Sequence, residues 1–446
     1  MLYKLHTYIF IVGFLAIGFI FAMTYARSFS VMSLAPILAF VTQMGLLLHY
    51  SSDEHSDYSE RTLFYTVLIY TFMGAIFFML ISIYYDDDTF LLSKGDAMFY
   101  YNESIKVTEL GLFGNMTRII NTFEDDDWGS LLFDTLVLYI YPSKLLLNAI
   151  YTILGAVSSV FLYRMGKVYM PAKFAFMAAL AYGTSSYLIF FNCSFLKESL
   201  FVFLVVCALY CQHRSVVSPS SRSLFGVAVF VGLIFFFRPA VAIFISMSIF
   251  LYYGIVKRKH AIGFFLLLGA LAGIVVSLAL MQQMFDNYAG GGNIEGVIAE
   301  TNNSSYSSGF NYVVSIFGGF FGPFPSLFPK VAGPSYIEFL GAGLVYKLFF
   351  VFPFWIGAYY VIKNQVFGLF PILVFTVMEM LLTGLVCASL ELRKVILHVP
   401  FMFVITFYGL FNMFTRLRTV KPAMLMSFLY ALGVTFLWNV IKADNV

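Results

Sequence analysis

The chain has 446 residues, 61% of them hydrophobic and 11% charged, with a formal net charge of +3. Soluble domains carry roughly a quarter charged residues, so a soluble globular domain is excluded, and a charge so near balance carries no nucleic-acid signal. Apolar runs of the ~20 residues that a bilayer core demands of a helix recur from end to end instead.

Taken in chain order, apolar runs between charged or turn-rich breaks give about 13 candidate spans. They cover 8–26, 30–50, 62–84, 145–163, 172–191, 196–212, 223–238, 240–256, 261–281, 339–362, 366–388, 395–415 and 421–441. The first run lacks a small-x-small cleavage site and reads as a retained helix rather than a signal peptide. The pair around Arg238-Pro239 can be one broken helix, and the pair around Lys197-Glu198 a re-entrant dip. The expected fold is all-α, a polytopic membrane helical bundle of about 11–14 transmembrane helices with short interfacial helices on its outer face. It divides into N-terminal spans (1–84), an outer loop with interfacial helices (85–143), a central bundle (144–281), a second outer or re-entrant segment (282–337) and C-terminal spans (338–446).

Lys and Arg accumulate in cytoplasmic loops. With the N-terminus cytoplasmic, the inner loops carry Arg164, Lys167, Arg214, Arg222, Lys257, Arg258, Lys259, Arg416, Arg418 and Lys421. The other face receives Asp86 to Asp88, Asp96, Glu103, Glu109, Glu124 to Asp127, Asp286, Glu295, Glu300 and Glu338. Both long segments, about 85–143 and 282–337, fall on that outer face. In the first, apolar residues persist through Leu110, Phe113, Ile119, Ile120 and Phe123 and again from Leu131 to Tyr141, the pattern of short amphipathic helices. Pro142 then stops the chain. The second opens with Gly290-Gly291-Gly292 and runs into Gly322-Pro323-Phe324-Pro325, too rich in glycine and proline for a spanning helix. Such backbone at a membrane must line protein or a water-filled cavity.

Seven of the 23 acidic residues lie in Asp86-Asp87-Asp88 and Glu124-Asp125-Asp126-Asp127. Carboxylates beside a membrane are either a solvated loop or a site. Asp96, after Gly95 and before Phe99-Tyr100-Tyr101, combines a turn, a carboxylate and an aromatic platform. Held against an apolar wall, such a carboxylate has a raised pKa and acts as a general base. Lys197 and Glu198 stand between two spans, where charges are functional candidates or a snorkelling pair. Arg238 interrupts the apolar stretch Val227 to Phe250 and wants an anionic partner, a carboxylate or a phosphate that its guanidinium forks onto. Arg393 and Lys394 add positive charge on the outer face; His398 extends that site or packs within the span. Lys330 and Lys347 read as snorkelling side chains. Cys207 and Cys211 share a helical face, which in an apolar span reads as packing. No Walker-type loop, His-rich metal set, heptad array or nucleic-acid motif occurs, and no internal duplication is visible. An Asp triplet can bind a divalent cation, but the spacing demands no metal or other cofactor.

The order of these features resembles the polytopic membrane glycosyltransferases of the GT-C superfamily and related bacterial membrane proteins of surface-polysaccharide assembly. The similar features are Gly95-Asp96…Tyr100, Asn148-Ala149-Ile150-Tyr151…Gly155, Lys197-Glu198-Ser199-Leu200, Arg238-Pro239, Gly322-Pro323-Phe324-Pro325 and Leu392-Arg393…His398-Val399-Pro400. Together they cover about residues 80–405, each motif being short and their order carrying the likeness. The resemblance implies a polyprenyl-phosphate-linked sugar donor, transfer on the non-cytoplasmic face of a bacterial inner membrane, and a catalytic carboxylate in the first large outer loop. Asp96 matches that carboxylate, with Asp86, Asp87 and Asp88 as second choice. Arg238 and Arg393 then bind phosphate, with Lys394, Lys197, Glu198, Tyr100 and Tyr101 lining the donor site. Two spans precede the one leading into the acidic loop, whereas typical family members place that loop after the first span, and a triplet replaces their acidic pair. This leaves open a monosaccharide transferase or a polymerase joining repeat units; in the latter the arginines matter more than Asp96. Other polysaccharide-assembly membrane proteins are expected partners beside the bilayer. The competing readings are a lipid-linked oligosaccharide flippase or other transporter, which would want ionisable groups near the midplane of several spans, and an inert assembly scaffold.

Overall fold

The computed structural model describes residues 42–51 (except 44 and 48), 57–86, 96–123, 125–194, 196–256, 320–322, 347–386, 394–414 and 425–437. The expected spans at 8–26 and 261–281, most of 30–50 and, apart from 320–322, the second outer segment lie outside them. Every regular element among the described residues is a helix, so the fold is all-α.

Helix α1 (Glu60–Asp86) starts where the Asp57 carboxylate accepts from the backbone N–H and hydroxyl of Ser59 and from the Thr62 hydroxyl, while Ser59 Oγ accepts from the Thr62 backbone N–H at 3.2 Å. These bonds satisfy orphan donors of a first helical turn. Three short helices follow: α2 (Asp96–Ile105), α3 (Val107–Thr122) and α4 (Asp125–Ile140). Helix α3 is kinked at Gly111, whose φ of 69° is a left-handed value glycine adopts without a Cβ penalty.

These three helices do more than lie along an interface. They pack on one another around buried Tyr100, Ile119 and Leu131. The buried Asn115 amide ties them together, donating to the Glu103 and Ser104 carbonyls and to Thr135 Oγ1 at 3.1 Å. Glu103 pairs with both Arg118 and Lys106. Burial pushes its carboxyl up, but the two cations outweigh that and hold it below its ordinary range.

After Pro142, Ser143 caps α5 (Lys144–Gly166) by accepting from the Leu146 N–H at 3.5 Å. The expected single span at 172–191 is two helices, α6 (Ala172–Gly183) and α7 (Ser186–Cys193). Thr184 closes the first, and Ser185 caps the second by accepting from the Leu188 N–H at 3.3 Å, a local bond that competes with continuing the helix. Helix α8 (Glu198–Val217) follows, then α9 (Ser221–Phe235) and α10 (Pro239–Leu251), which runs into a π-helical turn at Tyr252–Val256. The C-terminal part holds α11 (Val351–Lys363), α12 (Phe370–Val386), a 3-10 turn (Lys394–Leu397), α13 (Val399–Phe414) and α14 (Leu425–Leu437).

Helices α5 and α8 are long and apolar enough to cross a membrane. They pack on each other, α5 also on α1 and α6, and α6 on α13, which in turn packs on α11. From Ala175 to Gly183 every residue of α6 is buried, and its alanines let the neighbouring backbones approach. Helices α11 and α13 cross closely at Gly357 and Gly409, where a Cβ on Gly357 would stand 2.1 Å from the Ile405 carbonyl oxygen.

Arg164 near the end of α5 pairs with Glu60 at the start of α1 at 2.6 Å, which makes the two helices antiparallel. Tyr169 and the Gly368 carbonyl each lie 3.4 Å from His213 Nδ1, and Asn364 donates to Asn412 at 3.4 Å. The ends of α5, α8, α11 and α13 therefore meet at one pole, with Arg164, Lys167, Arg214 and Lys363. The cap of α2, α3 and α4 stands at the other, where α5 and α8 begin.

Candidate functional site

At the capped pole, Arg238 occupies the break between α9 and α10. Pro239 is the first residue of α10; lacking an N–H, it cannot continue α9 and keeps the preceding residue extended. Arg238 has φ −157° and ψ 98° as a result, and its side chain leaves the helix axis toward the start of α8. There its guanidinium stands 3.6 Å from Glu198 Oε1 and 5.5 Å above the Phe201 ring. Phe201 stacks on Phe237 with centroids 5.6 Å apart. Phe237 fits against α4 because Gly129 is bare: a Cβ there would lie 2.3 Å from the ring. Glu198 is 3% exposed, whereas Arg238 keeps 26% of its side chain open.

Lys197, one residue before α8, places its ammonium 5.9 Å from the ring centre of buried Tyr100 on α2. Tyr101 faces Lys144 in the same manner at 5.2 Å. Residues read from three distant parts of the sequence, Tyr100, Lys197-Glu198 and Arg238, thus converge. Asp96 stands one helical turn before Tyr100 but is exposed, not held against an apolar wall, because it is the first residue of α2.

The pole holds one acid that sequence reasoning missed. Asp134 of α4 is fully buried, and its Oδ1 accepts from the Tyr151 hydroxyl of α5 at 2.5 Å. Burial pushes its carboxyl up to about 7, against the lowering influence of the Tyr151 bond. The signal was a lone carboxylate inside the apolar run Leu131 to Tyr141, masked by the more conspicuous Asp triplets. Tyr151 is also within electrostatic reach of Glu198 and Tyr100. Ser199 donates to Asn192 Oδ1 at 2.9 Å, joining the end of α7 to the start of α8.

A second buried polar group lies between the C-terminal helices. Lys347 is 1% exposed and donates to the Gly322 carbonyl at 2.6 Å, so it does not snorkel. His398, just before α13, is fully buried with neither ring nitrogen bonded, and Lys347 is within its electrostatic reach. Phe320 and Phe321 pack on Trp355, and Tyr430 donates to the Phe321 carbonyl at 2.8 Å. Cys207 and Cys211 are free thiols on α8.

Asp86 ends α1 and Lys394 opens the 3-10 turn, but their side chains, like those of Asp125 to Asp127, are outside the described set. Asp87, Asp88, Arg393 and Lys330 lie outside the described residues altogether. Among the described residues no three His, Cys, Asp or Glu side chains converge as a metal site would need. No protein-family model matches this chain, and no curated protein matches it.

Proposed function

We propose that the chain is a multi-pass bacterial inner-membrane protein of cell-surface polysaccharide biosynthesis, N-terminus cytoplasmic. It transfers a sugar or oligosaccharide from a polyprenyl-phosphate-linked donor on the non-cytoplasmic face. Support for the membrane comes from the outward faces of the helices. Helix α1 exposes Tyr65, Ile69, Met73, Leu80 and Ile83, and α9 exposes Leu224, Phe225, Val229 and Leu233. Apolar stripes of this length meet lipid rather than water.

The observation that carries the activity is the state of the Arg238 guanidinium. It is oriented by the Glu198 ion pair and the Phe201 ring, yet makes no side-chain hydrogen bond within the described protein. A planar fork with uncommitted donors, partly open at a membrane face, suits a lipid phosphate. Lys197, next in sequence to the Glu198 that pairs with Arg238, is the second cation in this reading. In the transfer, the acceptor hydroxyl oxygen bonds to the anomeric carbon while the bond from that carbon to the phosphate oxygen breaks. The electron pair leaves with the lipid phosphate, whose charge Arg238 and Lys197 neutralise. The hydroxyl proton goes to a carboxylate at the rim, for which Asp96, one turn from Tyr100, is the proposed base.

A flippase is the second reading, favoured by the ionisable groups buried among the C-terminal helices: Lys347, Glu379 and His398. The lipid-linked intermediates of cells with and without the protein separate the two. Intermediate accumulating on the outer leaflet with shortened glycan supports the transferase; intermediate confined to the cytoplasmic leaflet supports the flippase. Asp96→Asn should abolish product while leaving the protein folded and inserted, and an unimpaired Asp96→Asn variant removes that residue from the chemistry.

A further inference from the structure

Around Tyr151 the helices enclose polar groups that, apart from the pairing of Glu198 with Arg238, the transfer step above does not use. Asp134, Asn148, Tyr151 and Asn192 are each fully buried, and Glu198 nearly so. Asn148, Tyr151 and Gly155 succeed one another on one face of α5, about 10 Å from first to last at 1.5 Å per residue. Asn192 lies against the Gly155 end, its Nδ2 3.1 Å from where a Cβ on Gly155 would be. Asp134 and Glu198 both approach Tyr151, the middle member.

These groups share a specific deficiency. Asp134 Oδ1 is bonded but Oδ2 has no donor; Glu198 Oε2 has none; Asn148 gives its amide to the weak acceptor Met79 Sδ at 3.0 Å and leaves Oδ1 without one. At the far end Asn192 Nδ2 lacks an acceptor. Buried polar atoms are nearly always bonded, and four exceptions along one seam call for a common cause. Three acceptors and one donor around Tyr151 and Gly155 complement a ligand that offers several hydroxyls, each able both to donate and to accept. The aromatic rings of Tyr151 and Phe133, 5.9 Å apart, add an apolar wall of the kind a pyranose face packs on.

We propose that this seam is a sugar-ring subsite, in which hydroxyls donate to Asp134 Oδ2, Asn148 Oδ1 and Glu198 Oε2 and one accepts from Asn192 Nδ2. It deepens the transferase reading and rests on it for the origin of the sugar, though not for the binding itself.

The test uses the full chain in lipid nanodiscs and its thermal unfolding with methyl glycosides of glucose, galactose, mannose or N-acetylglucosamine at millimolar concentration, or with Mg²⁺ alone. At least one glycoside should raise the unfolding midpoint saturably. Asn148→Leu removes an unsatisfied acceptor, so it should leave the sugar-free midpoint unchanged or higher while weakening glycoside binding more than tenfold. Asn148→Asp keeps the acceptor and should keep the response, which a packing role alone would not require. The proposal is overturned if no glycoside shifts the wild type, as a seam bridged by water would give. It is equally overturned if only Mg²⁺ shifts it, or if Asn148→Leu responds like the wild type. Glycoside binding with an unchanged intermediate profile in deleted cells would remove the transferase and leave the subsite. Normal transfer with a wild-type sugar KM in Asn148→Leu would do the reverse.

Discussion

Asp134→Asn isolates the cost of keeping a carboxyl out of water. The substitution preserves side-chain shape and the acceptor for the Tyr151 hydroxyl while removing the titration. In the folded chain burial holds the Asp134 carboxyl at about 7, against an ordinary value of 3.8. Between those limits the folded protein keeps a proton that the unfolded chain releases. Stability therefore falls as pH rises through that window and levels off above about 7. The window spans roughly three pH units at about 1.4 kcal/mol each, an order of 4 kcal/mol in full. About 2 kcal/mol of it falls between pH 5 and pH 7. Unfolding by denaturant in mixed micelles at pH 5, 6, 7 and 8 gives the difference between variant and wild type directly. The variant should gain on the wild type by about 3 kcal/mol from pH 5 to pH 8, with most of the change below pH 7. A difference that stays constant across the series would refute the assignment of Asp134 as a buried, largely protonated acid at low pH. Tyr151→Phe, which removes the donor that favours the ionised form, should move the transition to higher pH still.

Arg238→Lys keeps a charge but loses the planar fork, so it should raise the KM for a polyprenyl-linked donor at least tenfold, and Arg238→Ala should raise it further; equal kinetics in both variants and the wild type would argue against phosphate binding there. Gly357→Ala would push a methyl group into the Ile405 carbonyl on a backbone that cannot turn aside, costing about 1–3 kcal/mol or more and visible as loss of monodisperse protein on size-exclusion chromatography. Arg118→Ala should loosen the outer cap by about 1.5–3 kcal/mol, the worth of a hydrogen bond to a charged group, and hasten proteolysis within residues 96–123 while the bundle holds. Because Arg118 and Lys106 keep Glu103 below its ordinary 4.5, their contribution is present above that pH and is lost as pH falls below it; cap proteolysis should therefore accelerate in acid.

Much of the fold was legible because long apolar runs leave few alternatives to a helix. Lys144–Gly166 and Glu198–Val217 follow the runs at 145–163 and 196–212 closely, and Pro239 marks the break after Arg238. The division at Thr184-Ser185 was less legible, since two small hydroxyl residues in an apolar run end a helix only when the neighbours accept the bend. The outer loop read as helical from its apolar spacing, but nothing in that spacing told that Asn115 would be its buried tie.

The sequence by itself determined that the chain is helical and overwhelmingly apolar, where its charges interrupt the runs, and therefore that Lys197, Glu198 and Arg238 stand at helix ends. Charge at an apolar helix end is a local property, set by the cost of burying it. Only the tertiary structure decided that Tyr100 meets Lys197, that Glu198 meets Arg238, and that Asp134 is buried against Tyr151 while Asp96 is exposed. Those outcomes depend on which helices become neighbours and how closely Gly129 and Gly155 let them approach, and spacing along one chain does not encode distance between two helices.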